Sequence, residues 1–150
     1  MLKLNKIFSA FTLLWLSMNA ASACKLGAAA YDLQAFLEEP GISKVVFVGK
    51  VASVSNVQAA KGLLVDQRIE FAATRWWHGA PRASVTGRGK AEKPLGTDCD
   101  GNWNFLVSAG DEWLIIGYEQ NGLVHPSGLL SRKLINGTLP KEEANILNGE

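Results

Sequence analysis

The sequence predicts an all-β domain with short helices at its flanks. Three observations predict it. About five segments have the β-branched or alternating composition of strands, several of them contain a glycine bend, and the helical patterns lie only near the ends of the chain. The 150 residues are enough for one domain. Such a set of strands suits a five-stranded, OB-fold-like barrel, and a small β-sandwich remains the alternative.

The first strong helical pattern lies at Ala28–Glu39, and Pro40–Gly41 ends it. The next segment, Lys44–Val54, is dense in β-branched residues and short for a helix, so it is predicted to be a largely buried strand. Gly49 within this strand predicts a bulge or a bend.

A second long strand is predicted at Leu63–Trp77, because its residues alternate in polarity. One face carries Val65, Gln67, Ile69, Phe71 and Ala73, and the other carries Asp66, Arg68, Glu70 and Thr74. A short third strand, Ala83–Thr86, is expected inside a loop rich in glycine, arginine and lysine.

The last strands are predicted in the C-terminal half of the chain. Asn104–Val107 and Trp113–Tyr118 have strand composition, and Asn121–Gly122 is a strong hairpin signal that returns the chain through Leu123–His125. A proline then opens a short helix at Lys141–Leu147.

Composition and charge exclude several classes of protein. Hydrophobic residues make up 47% and charged residues 19%, which excludes a disordered chain. The formal net charge of +1 argues against nucleic acid as a partner, because nucleic-acid-binding domains carry a strong basic excess. Two cysteines and two histidines leave few candidate ligands for a self-contained structural zinc site, which needs about four.

The first 23 residues have the pattern of a secretory signal peptide. Lys3 and Lys6 precede an apolar stretch, Ile7–Met18, and Ala21–Ala23 supplies the small residues at which signal peptidase cleaves. The stretch is shorter than the roughly 20 residues of a membrane-spanning helix. A lipid anchor on Cys24 is the other interpretation, although an alanine stands where such signals usually carry leucine.

Cleavage leaves residues 24–150 as a single exported domain, which we expect in the periplasm or outside the cell. The leader contains two of the 15 basic residues and none of the 14 acidic ones, so the mature net charge is −1. In an oxidising compartment Cys24 and Cys99 are expected to pair. By the loop-entropy model this disulfide contributes about 4 kcal/mol, and two free thiols are the alternative.

Several motifs, taken in chain order, resemble the netrin-like domain of the tissue inhibitors of metalloproteinases. Val46–Val51 matches the phenylalanine-x-glycine-x-valine signature of that family. The other matching blocks are Cys24 at the mature N-terminus, Ile69–Gly79, Thr97–Phe105, Asp111–Gly117 and Asn121–His125. The resemblance implies a five-stranded OB-fold barrel flanked by helices. It also equates the Cys24–Cys99 pair with the disulfide that holds the N-terminus of the inhibitors.

The chain departs from the family at its third mature residue. The inhibitors usually begin Cys-x-Cys, whereas Leu26 occupies the second cysteine position here and Leu129 stands near the position of its partner. An apolar contact would therefore replace that disulfide.

The resemblance implies that the free α-amino group and the carbonyl of Cys24 bind the catalytic zinc of a target metalloprotease. Lys25 would point toward the specificity pocket of the protease, where the inhibitors of matrix proteases usually carry a small hydroxylated residue. A long cation suits an apolar pocket poorly, so matrix-type proteases are poor targets. The zinc belongs to the partner, and no cofactor of the chain itself is expected. The alternative is that the disulfide only fastens the terminus.

The alternative function is a non-inhibitory, extracytoplasmic OB-fold binding module for a protein or a polysaccharide. Its candidate partner surface comprises Trp76, Trp77, Arg82, Arg88, Lys90 and Lys93. We do not expect an enzyme, because only His78 and His125 could serve as a base and no nucleophile-elbow pattern is present. We expect no membrane partner unless Cys24 is lipidated.

Overall fold

The computed structural model describes residues 28–60, 64–92 and 105–149. The predicted signal peptide, Cys24, Lys25, Lys93 and Cys99 lie outside these residues, as does Leu26.

Six strands form a single sheet in the described residues. They are β1 (Lys44–Ala60), β2 (Leu64–His78), β3 (Ser84–Glu92), β4 (Glu112–Gln120), β5 (Leu123–Pro126) and the two-residue β6 (Arg132–Lys133). The order is β1-β2-β3-β5-β4-β6, and an additional pairing of β1 with β4 closes the first five strands into a barrel. The closed five-stranded barrel confirms the predicted OB-fold-like class and excludes the sandwich.

Two hydrophobic clusters hold the barrel together. The first fills its interior and consists of Val45, Phe47, Val51, Ile69, Phe71, Val85, Phe105, Val107, Ile115 and Val124. The second lies outside β1 and β4 and consists of Leu33, Phe36, Val46, Val48, Leu114, Ile116, Leu130 and Leu134. Because β1 and β4 are buried on both faces, they have continuous apolar runs rather than alternating ones.

Two short helices cover the outer cluster. They are α1 (Leu33–Glu38), which supplies Leu33 and Phe36, and α2 (Lys141–Asn148). The helix predicted at Ala28–Glu39 is divided into a 3-10 turn, Ala28–Ala30, and α1. The division follows from Asp32, whose carboxylate accepts from the backbone N–H of Ala35 at 2.7 Å and so begins a new helix.

Glycines make room for aromatic rings inside the barrel. A Cβ on Gly87 would lie 2.8 Å from the ring of Phe71, and one on Gly89 would lie 2.6 Å from the carbonyl oxygen of Phe105. Gly49 occupies a register shift between β1 and β2, which confirms the predicted bulge.

Two predicted strands differ from the structure. The segment expected as a loop with a short strand at Ala83–Thr86 is the nine-residue β3, which pairs with β2 from Ser84 to Glu92. The strand predicted at Asn104–Val107 was wrong in its described part, because residues 105–107 lie in no strand.

That segment is fastened by isolated hydrogen bonds instead of a β-ladder. Phe105 donates its N–H to the Lys90 carbonyl at 3.0 Å. The Gln67 side chain accepts from the Val107 N–H at 3.1 Å and donates to the Val107 carbonyl at 3.5 Å.

The remaining predicted elements are confirmed with small changes of boundary. β4 contains the strand predicted at Trp113–Tyr118, β2 contains the described part of the strand predicted at Leu63–Trp77, and α2 follows Pro140. The hairpin between β4 and β5 turns through Asn121 at φ 53° and Gly122 at φ 75°, as the Asn-Gly pair predicted.

Candidate functional site

The structure places the described residues of the candidate partner surface at three separate positions. Trp76 and Trp77 follow each other on β2, so they point to opposite sides of the sheet. Trp76 packs against the interior cluster and Trp77 against the outer cluster. Arg88 and Lys90 lie further along the sheet, on β3.

Trp76 and Arg82 fasten the connection between β2 and β3 to the barrel. The Trp76 ring stacks on Phe47 with centroids 4.7 Å apart, and its indole N–H donates to the Arg82 carbonyl at 3.2 Å. The Arg82 guanidinium lies 5.5 Å from the Trp76 ring and makes a two-bond contact with Glu119, of 2.9 and 3.3 Å. The carbonyl and the guanidinium of Arg82 both have partners within the chain. These contacts therefore stabilise the packing of the connection against the barrel.

Trp77 and Arg75 form a contact between β2 and the end of α2. The Arg75 guanidinium lies 4.4 Å above the Trp77 ring. Arg75 donates to the Asn148 Oδ1 at 2.9 Å, and the Trp77 indole N–H donates to the same oxygen at 3.4 Å. The sequence pattern missed Arg75, because only the folded chain brings Asn148 to it.

Arg88 lies on a charged outer face that the sheet register assembles from β2 and β3. Arg68 of β2 is directly opposite Arg88, and Glu70 is directly opposite Thr86. Arg88 donates to Asp66 Oδ2 at 2.6 Å. The side-chain alternation of β2 predicted that Asp66, Arg68 and Glu70 share a face, but their neighbours on β3 depended on a register that the sequence did not reveal.

The two histidines have different surroundings. His78 is exposed at the end of β2, and His125 stacks on Tyr118 with ring centroids 5.0 Å apart. Among the described residues, no three histidine, cysteine or acidic side chains are grouped so that they could hold a metal ion. Within the same residues, no helix has the length and apolar composition needed to cross a membrane.

Asp111 forms an ion pair with Lys133 next to the start of β4. The Lys133 ammonium donates to its carboxylate at 2.8 Å and holds the pKa of Asp111 below its ordinary value of 3.8. The N–H of Ser108 also lowers this pKa, and partial burial opposes both effects. The buried indole N–H of Trp113 has no acceptor within hydrogen-bonding distance in the described residues, yet it lies near enough to Asp111 to add a smaller lowering.

The inhibitory residues predicted from the resemblance, Cys24 and Lys25, stay predictions. Along the chain, Cys24 stands four residues before the 3-10 turn and Cys99 stands in the connection from β3 to β4. No protein-family model, curated protein or solved structure matches the chain.

Proposed function

We propose that the mature chain is a metalloprotease-inhibitor-like protein that binds the catalytic zinc of a target protease through the free amine and the carbonyl of Cys24. The observation that supports this proposal best is the closed barrel in the strand order β1-β2-β3-β5-β4. The resemblance to the netrin-like domain implied such a barrel with flanking helices, and α1 and α2 pack on its outer side.

The chemistry of the terminal residue suits a zinc ion with an open coordination position. A catalytic zinc keeps one position for water or substrate, and an amine and a carbonyl of one residue can displace that water as a five-membered chelate, because such a zinc can expand to five-coordination. An α-amino group has a pKa of about 7.7, so it loses its proton readily when a metal competes for the lone pair.

A disulfide between Cys24 and Cys99 would prepare the terminus for binding. Along the chain, Cys99 stands between β3 and Phe105, and the side chains of Phe105 and Val107 are buried. A terminus tied by such a disulfide loses less conformational freedom on binding than a free one.

Lys25 limits the range of proteases that this mechanism suits. A lysine directed into an apolar pocket leaves its charge without water or a partner, which is costly. The proposal therefore favours a zinc protease whose specificity pocket is acidic or open to solvent, rather than a matrix-type protease.

The experiment compares two forms of the processed protein against a panel of zinc proteases. One form begins with an unmodified Cys24, verified by mass spectrometry, and the other carries one additional alanine before it. The additional residue removes the α-amine from the chelate, so we expect the inhibition constant to rise by at least about a hundredfold.

A third form controls for the charge of the second residue. Lys25→Thr keeps the chelating groups and should change which proteases of the panel are inhibited, rather than abolish inhibition. If the alanine extension leaves inhibition unchanged, or if the natural terminus is acylated, the chelate mechanism is wrong.

The second candidate is a non-inhibitory, extracytoplasmic binding module for a protein or a polysaccharide. The exposed charged face of β2 and β3 favours it, because Arg68 and Arg88 are directly opposite each other there. This candidate requires neither a free Cys24 nor a protease. The two candidates are therefore separated by whether a blocked terminus keeps the binding activity of the protein.

A further inference from the structure

The outer face of β1, β2 and β3 carries an ordered array of polar side chains. The glycines of β3 point into the barrel, so the residues between them point outward. Three cross-strand rows result: Asp66 with Lys90; Ser55, Arg68 and Arg88; and Ser53, Glu70 and Thr86.

The central row places two arginines of β2 and β3 directly opposite each other. Side chains directly opposite each other in an antiparallel pair are close neighbours, and like charges in these positions are destabilising. Arg68 is directly opposite Arg88 in the register of β2 and β3. Their juxtaposition therefore works against the stability of the sheet.

The neighbouring carboxylates neutralise the positive charges of the two arginines only in part. Arg88 donates through one nitrogen to Asp66, at 2.6 Å. Arg68 approaches Glu70 only through Nε at 3.5 Å, while the Glu70 carboxylate accepts from the Thr86 hydroxyl at 3.0 and 3.1 Å. The Arg68 side chain is 61% exposed and that of Arg88 is 43% exposed. Within the described residues, several guanidinium N–H groups thus have no acceptor and face solvent.

We propose that this face binds an acidic polysaccharide, with one sulfate or carboxylate group held between Arg68 and Arg88. A guanidinium pairs with the oxygens of such a group through two parallel hydrogen bonds, and two adjacent guanidiniums would share one anion. Ser53, Ser55 and Thr86 and the flanking carboxylates supply donors and acceptors for sugar hydroxyl groups.

The composition of the face selects a polysaccharide over a single-stranded nucleic acid. Proteins that bind single strands stack the bases on aromatic side chains. The three rows contain hydroxyl, carboxylate and cationic groups and no aromatic ring. The location also agrees with the general use of the strand 2 and 3 face by OB-fold barrels that bind oligosaccharides.

The inference rests on the second candidate function, the binding module, and is independent of protease inhibition. Its test measures the binding of fluorescently labelled heparin, a sulfated and carboxylated polysaccharide, by fluorescence anisotropy at physiological salt. The mature protein with an alanine before Cys24 is used alongside the unmodified one. Equal affinity of the two proteins separates this site from the proposed chelate.

The decisive variant is R68Q/R88Q, and the matched control is R75Q/K141Q, which removes two positive charges from exposed positions elsewhere. We expect the first to weaken heparin binding by at least about tenfold and the second by less than about twofold, because only the first removes the paired guanidiniums. Asp66→Asn should tighten binding, since it releases Arg88 from its carboxylate.

Three results would overturn the proposal. They are no binding of heparin by the unmodified protein, an equal loss in the two double variants, and equally tight, arginine-dependent binding of a single-stranded oligonucleotide. Neutral dextran should not bind. Thermal unfolding of each variant verifies that its barrel is intact. Any of these three results rules out the polysaccharide site at Arg68 and Arg88. It does not bear on a protein partner of the binding module or on the inhibitory mechanism, which have their own tests.

Discussion

At the residue scale, Asp111 links the turn before β4 to β6. Its carboxylate accepts from Lys133 at 2.8 Å, and the pKa of Asp111 is held below 3.8, chiefly by this bond. The folded state therefore favours the charged carboxylate more than the unfolded state does. A group of this kind contributes stability above its unfolded pKa and loses that contribution as pH falls through its folded pKa.

We therefore predict that Asp111→Asn reduces the free energy of unfolding at neutral pH and flattens its fall toward acid. The reduction should be no more than about 1 kcal/mol, because Lys133 is 57% exposed and solvent screens the pair. Urea unfolding, followed from neutral pH to below pH 3.8, measures both effects. Lys133→Met should reproduce them, and an unchanged acid dependence in both variants would contradict the prediction.

Trp76 and Trp77 differ in which of their features could be predicted from the sequence. The alternation of side chains along a strand places the neighbours Trp76 and Trp77 on opposite faces, and they pack against the two different clusters. The sequence did not predict that both indole N–H groups have acceptors within the chain, Arg82 and Asn148. These acceptors are distant in sequence or depend on a turn geometry, and a pattern of hydrophobicity contains no information on either.

At the element scale, the segment 105–107 contributes Phe105 and Val107 to the interior cluster without joining the sheet. Val107 is buried, and both its N–H and its carbonyl are hydrogen-bonded by the Gln67 side chain. One side chain thus replaces the partner strand that this short segment lacks, because a buried backbone N–H without an acceptor is costly.

We predict that Gln67→Ala lowers the free energy of unfolding by about 2 kcal/mol, because the Val107 N–H loses its acceptor in a buried environment. The control, Gln34→Ala, removes an exposed bond between Gln34 and Glu38 on α1 and should cost less than about 0.5 kcal/mol. Urea unfolding gives both values, and amide hydrogen exchange at Val107 should accelerate only in the first variant. Equal costs in the two variants would show that the Gln67 contact does not hold the segment.

The strands differ in how well their sequences predict them. β1, β2 and β4 have β-branched runs or clear alternation, so their positions were predicted. Most of β3 was predicted as a loop, because its composition is typical of loops. Its inward positions are Gly87 and Gly89, and its outward positions are arginine and lysine. The two glycines are explained by Phe71 and Phe105, which fill the space where a larger side chain would lie. The pairing of Arg68 with Arg88 follows from the register of β2 and β3.

At the scale of the whole molecule, the barrel does not depend on the cysteines for its core. All 18 buried hydrophobic side chains of the described residues lie in the strands, in α1 or in the segments 105–107 and 130–134. Hydrophobic burial of this kind is the main source of stability in a small domain. The proposed Cys24–Cys99 disulfide is therefore expected to add stability and to direct the terminus, while the fold itself is specified by the barrel.

We predict that Cys99→Ser folds into the same barrel but loses inhibition of any protease that the unmodified protein inhibits. Far-ultraviolet circular dichroism should be unchanged, and the free energy of unfolding should fall by about 4 kcal/mol, the value of the loop-entropy model for a closure of this length. Reduction of the unmodified protein should produce the same loss of stability. The variant retains the amine and the carbonyl of Cys24, so a loss of inhibition reports the direction of the terminus rather than the removal of its ligands. If oxidised protein, reduced protein and variant unfold at the same urea concentration, the two cysteines are not paired, and the terminus would have to be ordered by other contacts to act as a preformed chelate.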